Sequence, residues 1–328
     1  MRTRLLFFSL CAFSGMTAQN SKYILAVDEY VPAPGQFINV LPEGGPSDTP
    51  ATMAAKCTER IAGGSGKMVC LGAWGGYITF HFDHPIANVA GAMDLYIAGN
   101  ANTGGSEPGI VMVSQDVNGN GLPDDPWYEL SGSADTDSVG KVTYGYSVTY
   151  TRQDMLDVPW TDNLGASGTV PRNSFHQQEY FPLWLPDEIT FTGTLLPRNG
   201  VNTSSTGQYW VLSALRCGYV DNVPNSDRDG CSFNLEWAVD PLTREQAHIT
   251  HADFIRVYSA QNQVCGWIGE TSTEVTGAED LHPEATTAIA ATPCLPEAKG
   301  GCRDLQGRPV GKPQRRGIYI VNGKKHIL

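Results

Sequence analysis

The sequence predicts an all-β protein, a β-sandwich of jelly-roll type, and three observations carry that expectation. Apolar and polar residues alternate with period two in several separate segments, and clusters of Gly, Asn, Asp and Pro separate them. In a chain of 328 residues, 36 Gly, 21 Pro, 7 Trp, 13 Tyr and 11 Phe favour strands joined by turns over packed helices. No regular βα alternation and no repeat of propeller length occurs, so the layers must be sheet on sheet.

Arg2 and Arg4 precede an apolar run from Leu5 to Phe13, and Met16-Thr17-Ala18 then supplies small residues before Gln19. That order is the pattern of a secretory signal peptide over residues 1–18, cleaved near Ala18. The run is too short to span a bilayer, and Phe8 and Leu10 fit poorly before Cys11 as a lipidation site. One helix is expected. Thr49 is placed to cap it and Pro50 suits the first helical position, while Met53, Cys57 and Ile61 form an i, i+4, i+8 stripe and Gly63-Gly64 ends it. Strands are expected at Tyr77 to Phe82, Asp94 to Ala98, Ile110 to Ser114, Val142 to Thr151, Ile189 to Leu195, Tyr209 to Ser213, Leu235 to Val239 and Asp253 to Tyr258. A surface domain over 19–282 is followed by a linker at 283–301 rich in Ala, Thr and Pro, and by a basic tail over 302–328.

The formal charge of −12 is unevenly distributed. Residues 1–18 and 299–328 hold ten basic residues against Asp304 alone, leaving 12 basic and 33 acidic residues between them. A body of that sign repels phosphate backbones and anionic headgroups, which excludes nucleic acid as a partner class and favours cations. After Cys11 come Cys57, Cys70, Cys217, Cys231, Cys265, Cys294 and Cys302; in an oxidising compartment Cys57/Cys70 and Cys217/Cys231 would close short loops as disulfides. None forms a CxxC pair, which argues against structural zinc.

The strongest local motif is Asp116-Val-Asn118-Gly-Asn120-Gly121-Leu122-Pro-Asp124-Asp125. Oxygen side chains at positions 1, 3 and 5, a turn-making Gly at 6, a backbone carbonyl at Leu122 and carboxylates at 9 and 10 are what a hard cation needs, and calcium fits. Position 12 is Trp127 rather than Glu, so the bidentate ligand is expected from Glu129 or Glu107. The competing reading is an Asn-Gly-rich hairpin with solvated carboxylates. Asp221-Asn222, Asp227 and Asp229 make a looser acidic loop. His81, Asp83 and His84 read as a solvated strand face, and His248 and His251 as ordinary polar residues. His176 and Glu179 beside Tyr180, Phe181 and Trp184 mark a candidate ligand pocket, with Trp160 and Trp184 as stacking platforms.

Nucleophile and phosphate-loop motifs are missing: there is no G-x-S-x-G, P-loop or H-E-x-x-H, and LGAWGGY precedes a strand rather than opening a helix. Carboxylate pairs such as Asp187/Glu188, Glu236/Asp240 and Glu270/Glu274 are common in any acidic β protein.

The last residues, Cys302-Arg-Asp-Leu-Gln-Gly-Arg-Pro-Val through Gly317-Ile-Tyr-Ile-Val-Asn-Gly-Lys-Lys, resemble the C-terminal sorting signal of type IX secretion substrates in the Bacteroidetes. Read physically, the end of the tail is two short strands around an Asn322-Gly323 turn. The body is similar to a family of Bacteroidetes cell-surface proteins through LGAWGGYITFHFDHPI (71–86), SEPGIVMVSQDVNGNGLPDDPWYEL (106–130), NLEWAVD and DFIRVYSAQNQ. These resemblances imply passage across the outer membrane through the type IX secretion machinery, a secreted or surface location, and an association with corrinoid or nutrient uptake. Two functions are therefore expected in order: a calcium-stabilised, non-enzymatic binding protein for a neutral glycan or corrinoid-like nutrient, and a calcium-dependent polysaccharide hydrolase or lyase.

Overall fold

The computed structural model describes residues 19–285, together with the backbone of four short strands between 302 and 327. The expected signal peptide, most of the expected linker, Cys11 and Cys294 lie outside the described residues. The chain divides into a unit ending at Thr286 and a second comprising the tail.

In the first unit the strands, in chain order, are β1 (Ala26–Val31), β2 (Val69–Cys70), β3 (Tyr77–Ala87), β4 (Leu95–Ala98), β5 (Gly109–Ser114), β6 (Trp127–Leu130), β7 (Thr143–Thr151), β8 (Val158–Asp162), β9 (Ser167–Val170), β10 (Glu188–Leu195), β11 (Gly200–Asn202), β12 (Trp210–Leu212), β13 (Ser232–Phe233), β14 (Ala238–Val239), β15 (His251–Ser259), β16 (Glu274–Val275) and β17 (Gly277–Asp280). Together they make the all-β sandwich expected. A six-stranded antiparallel sheet, β1-β3-β15-β5-β6-β14, is its centre. Cross-strand register places Phe80 against Val27 and Ile255, and Val257 between Ile78 and Val111. These side chains share one face, which buries against the helix and the small sheet β13-β4-β17 through Met53, Ile97 and Phe233. The four-stranded sheet β10-β7-β8-β9 closes a second core around Trp74, Tyr150 and Phe191. Gly72 sits at φ 74°, where a side chain would drive into the Ala33 carbonyl; that tight path delivers Trp74 fully into this core ahead of β3.

The helix α1 (Pro50–Ile61) forms as expected, with Thr49 Oγ1 accepting the Thr52 N–H at 3.2 Å and Thr52 Oγ1 accepting the Thr49 N–H at 2.9 Å. Met53, Cys57 and Ile61 are buried, each contributing roughly 1.5–3 kcal/mol of apolar burial. Among the described residues no helix is long and apolar enough to cross a membrane.

Several expectations are corrected. Leu235–Trp237 is a 3-10 turn because Asn234 Oδ1 takes the Glu236 N–H at 2.6 Å, which leaves only Ala238–Val239 as strand. Cys57, Cys70, Cys217, Cys231 and Cys265 are all free thiols. Cys57 and Cys70 serve as core residues instead, and Cys70 Sγ lies 2.9 Å from Ser272 Oγ. His84 is not on a solvated face: its ring bridges Asp83 at 2.5 Å and the buried Asp280 at 2.7 Å. In the tail, β18 (Cys302–Arg303), β19 (Pro309–Val310), β20 (Ile318–Val321) and β21 (Lys324–Ile327) pair in the order β19-β18-β20-β21, with Val321 opposite Lys324; the expected Asn322-Gly323 turn lies outside the described residues.

Candidate functional site

The 116–125 loop joins β5 to β6, a hairpin in which Ser114 faces Trp127. Its polar side chains hydrogen-bond within the loop. Asp116 accepts the Asn120 N–H at 3.0 Å and the Gly121 N–H at 2.8 Å; Asp125 accepts the Asn118 N–H at 3.3 Å. Asp124 accepts the side-chain amides of Asn120 and Asn118, which hold its carboxyl below the ordinary range. Leu122 is exposed, and its N–H goes to Asn120 Oδ1.

Glu129 does not join this loop. The alternation of β6 turns it into the interior, where Oε1 accepts from Arg244 at 2.7 Å and Oε2 from Thr194 at 2.7 Å. Burial pushes this carboxyl up, opposed by the Arg244 charge. Asp221 and Asn222 of the looser acidic loop also point inward, and Asp227 accepts the local Gly230 N–H.

The four expected ligand-binding side chains separate. Tyr180 is fully buried, accepting the Asn173 N–H and donating to the His176 carbonyl. Trp184 stacks on Tyr30 in the main core at 5.8 Å between ring centroids, and Trp160 lies across Gly168 of β9. Trp184 is buried there, while Trp160 is half-buried. Of the four, His176 lines a pocket, with its ring 4.6 Å edge-on from Phe37.

That pocket has a volume of about 320 Å³. Its rim carries Phe175 and Trp267, 73% and 56% exposed, beside Phe37 and His176. Asn173 ties the rim together by donating to Gln36 Oε1 at 2.9 Å and to the Trp267 carbonyl at 3.1 Å, and Trp267 Nε1 donates to the Gln208 carbonyl at 2.7 Å. The floor is acidic: Glu107 and Glu274 line it, and Asp221 joins them so that carboxylate oxygens of all three lie within 4.8 Å of one another.

Backbone and hydroxyl donors hold these carboxyls in place. Asp221 Oδ1 takes the N–H groups of Asn100 and Ala101 at 2.6 and 2.7 Å, and Oδ2 takes that of Glu274 at 3.0 Å. Glu107 accepts the Ser272 N–H and Glu274 the Ser272 hydroxyl. Burial pushes Glu107 and Glu274 well above the ordinary carboxylate range, and neighbouring carboxylates add to it. Burial also raises Asp221 to about 6 against its three N–H donors, and Glu270 to about 7. Among the described residues, no Lys, Arg or His forms an ion pair with any of the four. No protein-family model and no curated protein matches this chain. The functional reading therefore rests on a cavity where perturbed acids meet exposed aromatics.

The sequence names Glu107 as a calcium ligand, Glu270/Glu274 as one carboxylate pair among several and Asp221 in a polar loop, but does not unite them. Their segments are far apart in the chain, and no periodicity marks them. Trp267, in a Cys-Gly-Trp turn, is missed outright.

Proposed function

We propose that this chain is an exported, non-enzymatic protein that binds a neutral, ring-bearing ligand, a glycan or corrinoid-like nutrient, in the 320 Å³ pocket. The observation that carries the reading is the pairing of exposed Trp267 and Phe175 on the rim with the carboxyl groups of Glu107 and Glu274 on the floor. Aromatic faces stack on apolar ring faces, and carboxyl oxygens accept hydrogen bonds from hydroxyl or amide groups. The acidic body and floor work against anionic ligands. In calorimetric titrations with a panel of neutral glycans and a corrinoid, one ligand is expected to bind, and Trp267→Ala to weaken it at least about tenfold. Absence of binding across the panel, or binding indifferent to Trp267→Ala and Phe175→Ala, would falsify the assignment. The hydrolase or lyase reading draws on the same Glu107 and Glu274; turnover of a glycan lost in Glu274→Gln would install it instead.

The 116–125 loop is proposed as a calcium site that stabilises the β5–β6 hairpin. Adding millimolar calcium to chelated protein is expected to raise the melting temperature by several degrees, because an ion that binds only the folded state stabilises it by mass action. Asp124→Ala should abolish most of that rise; an unchanged rise would place the ion elsewhere. The surface location follows the resemblance of the tail to a sorting signal, and fractionation of the source cells decides it: retention of the protein in the periplasm would exclude surface display.

A further inference from the structure

We propose that the pocket floor is a second divalent-cation site, in which Glu107, Asp221 and Glu274 supply the ligand oxygens from the protein side. Two oxygens bound to one calcium at about 2.4 Å lie at most about 4.8 Å apart. All three carboxylates meet that limit together. They are also pre-positioned: Asp221 by three backbone N–H groups, and Glu107 and Glu274 by the N–H and hydroxyl of Ser272.

A separate observation points to a missing partner. Glu270 is buried beside the floor, near enough for its charge to act on Glu107, and its Oε1 is anchored by the Gln36 N–H at 2.6 Å. Its Oε2 is equally buried and has no hydrogen-bond partner. An unpaired carboxylate oxygen is costly in an interior, and four carboxyls without a cationic side chain are costlier. An ion held by the three carboxylates supplies the countercharge that this group, with Glu270 beside it, lacks. The donors are oxygens, which selects a hard cation such as calcium, magnesium or manganese. Glu107 and Glu274 open onto the cavity, so the ion has an entry path and free coordination positions facing the rim.

The site shares its pocket with the ligand proposed above, yet direct cation titration reads it without that ligand, so the two ideas fail separately. The full chain, stripped of metal, is titrated by calorimetry with calcium, magnesium and manganese at neutral pH, as wild type and as Asp124→Ala. The loop variant is expected to retain one equivalent of at least one of these ions, and Glu274→Gln or Glu107→Gln, made in that background, to weaken it at least tenfold. Retention of no equivalent in Asp124→Ala, with its circular dichroism unchanged, overturns the proposal. So does an equivalent insensitive to both pocket substitutions.

Discussion

With chelator present at pH 8, Glu270→Gln is expected to be more stable than the native chain by about 3 kcal/mol, and the advantage to vanish near pH 4. Burial raises the Glu270 carboxyl from an ordinary 4.5 to about 7. Between those values the folded state holds a proton that the unfolded chain has released. The stabilising contribution is thus complete below about 4.5 and is lost as pH rises through about 7, at about 1.4 kcal/mol per pH unit. Gln keeps an acceptor for the Gln36 N–H and has no proton to lose. Urea melts of both proteins from pH 4 to pH 8 read the difference directly. Parallel stability curves would mean that Glu270 ionises as easily folded as unfolded.

Arg244→Met is expected to destabilise the fold by about 3–5 kcal/mol, because it strips a buried carboxylate of its only ion-pair partner among the described residues. Glu129 is 3% exposed, and Arg244 binds both it and Asp135 while lying over the Tyr144 ring. The loss should grow with pH, since at low pH Glu129 escapes by taking a proton. Adding Glu129→Gln to Arg244→Met should restore much of the stability, and Glu129→Gln alone should leave calcium affinity intact. A loss below about 1 kcal/mol in denaturant melts would show that water reaches Glu129.

Elements with a clean local signal were legible in the sequence. The Thr49–Pro50 start and the Met53-Cys57-Ile61 stripe specify α1, and period-two alternation finds β3, β5, β7, β10 and β15. β1 escapes because Asp28 and Glu29 interrupt its pattern where the register shifts, and β8 because Pro159 argues against a strand. At the site, the hydrogen bonds that link Asp116, Asn118, Asn120, Asp124 and Asp125 follow from one short loop. The pocket does not, since its floor joins residues from three remote segments through backbone turns that no side-chain pattern announces. Aromatic density around Trp184 misled for a related reason: a buried ring and a rim ring look alike until the sheets are packed.

The pairing of β15 with both β3 and β5 has a consequence for how the chain comes to be folded. Phe80 and Val113 each wait for Ile255, so the central strand of the main sheet is the last of its long strands to leave the ribosome. Until it arrives, β3 and β5 present bare edges, and closing the sheet carries the entropy of a very long loop. Such a chain folds late rather than progressively. A nascent or translocating form that lacks residues 251–259 exposes an apolar, edge-open template for aggregation, and holding the chain unfolded until synthesis is complete avoids that state.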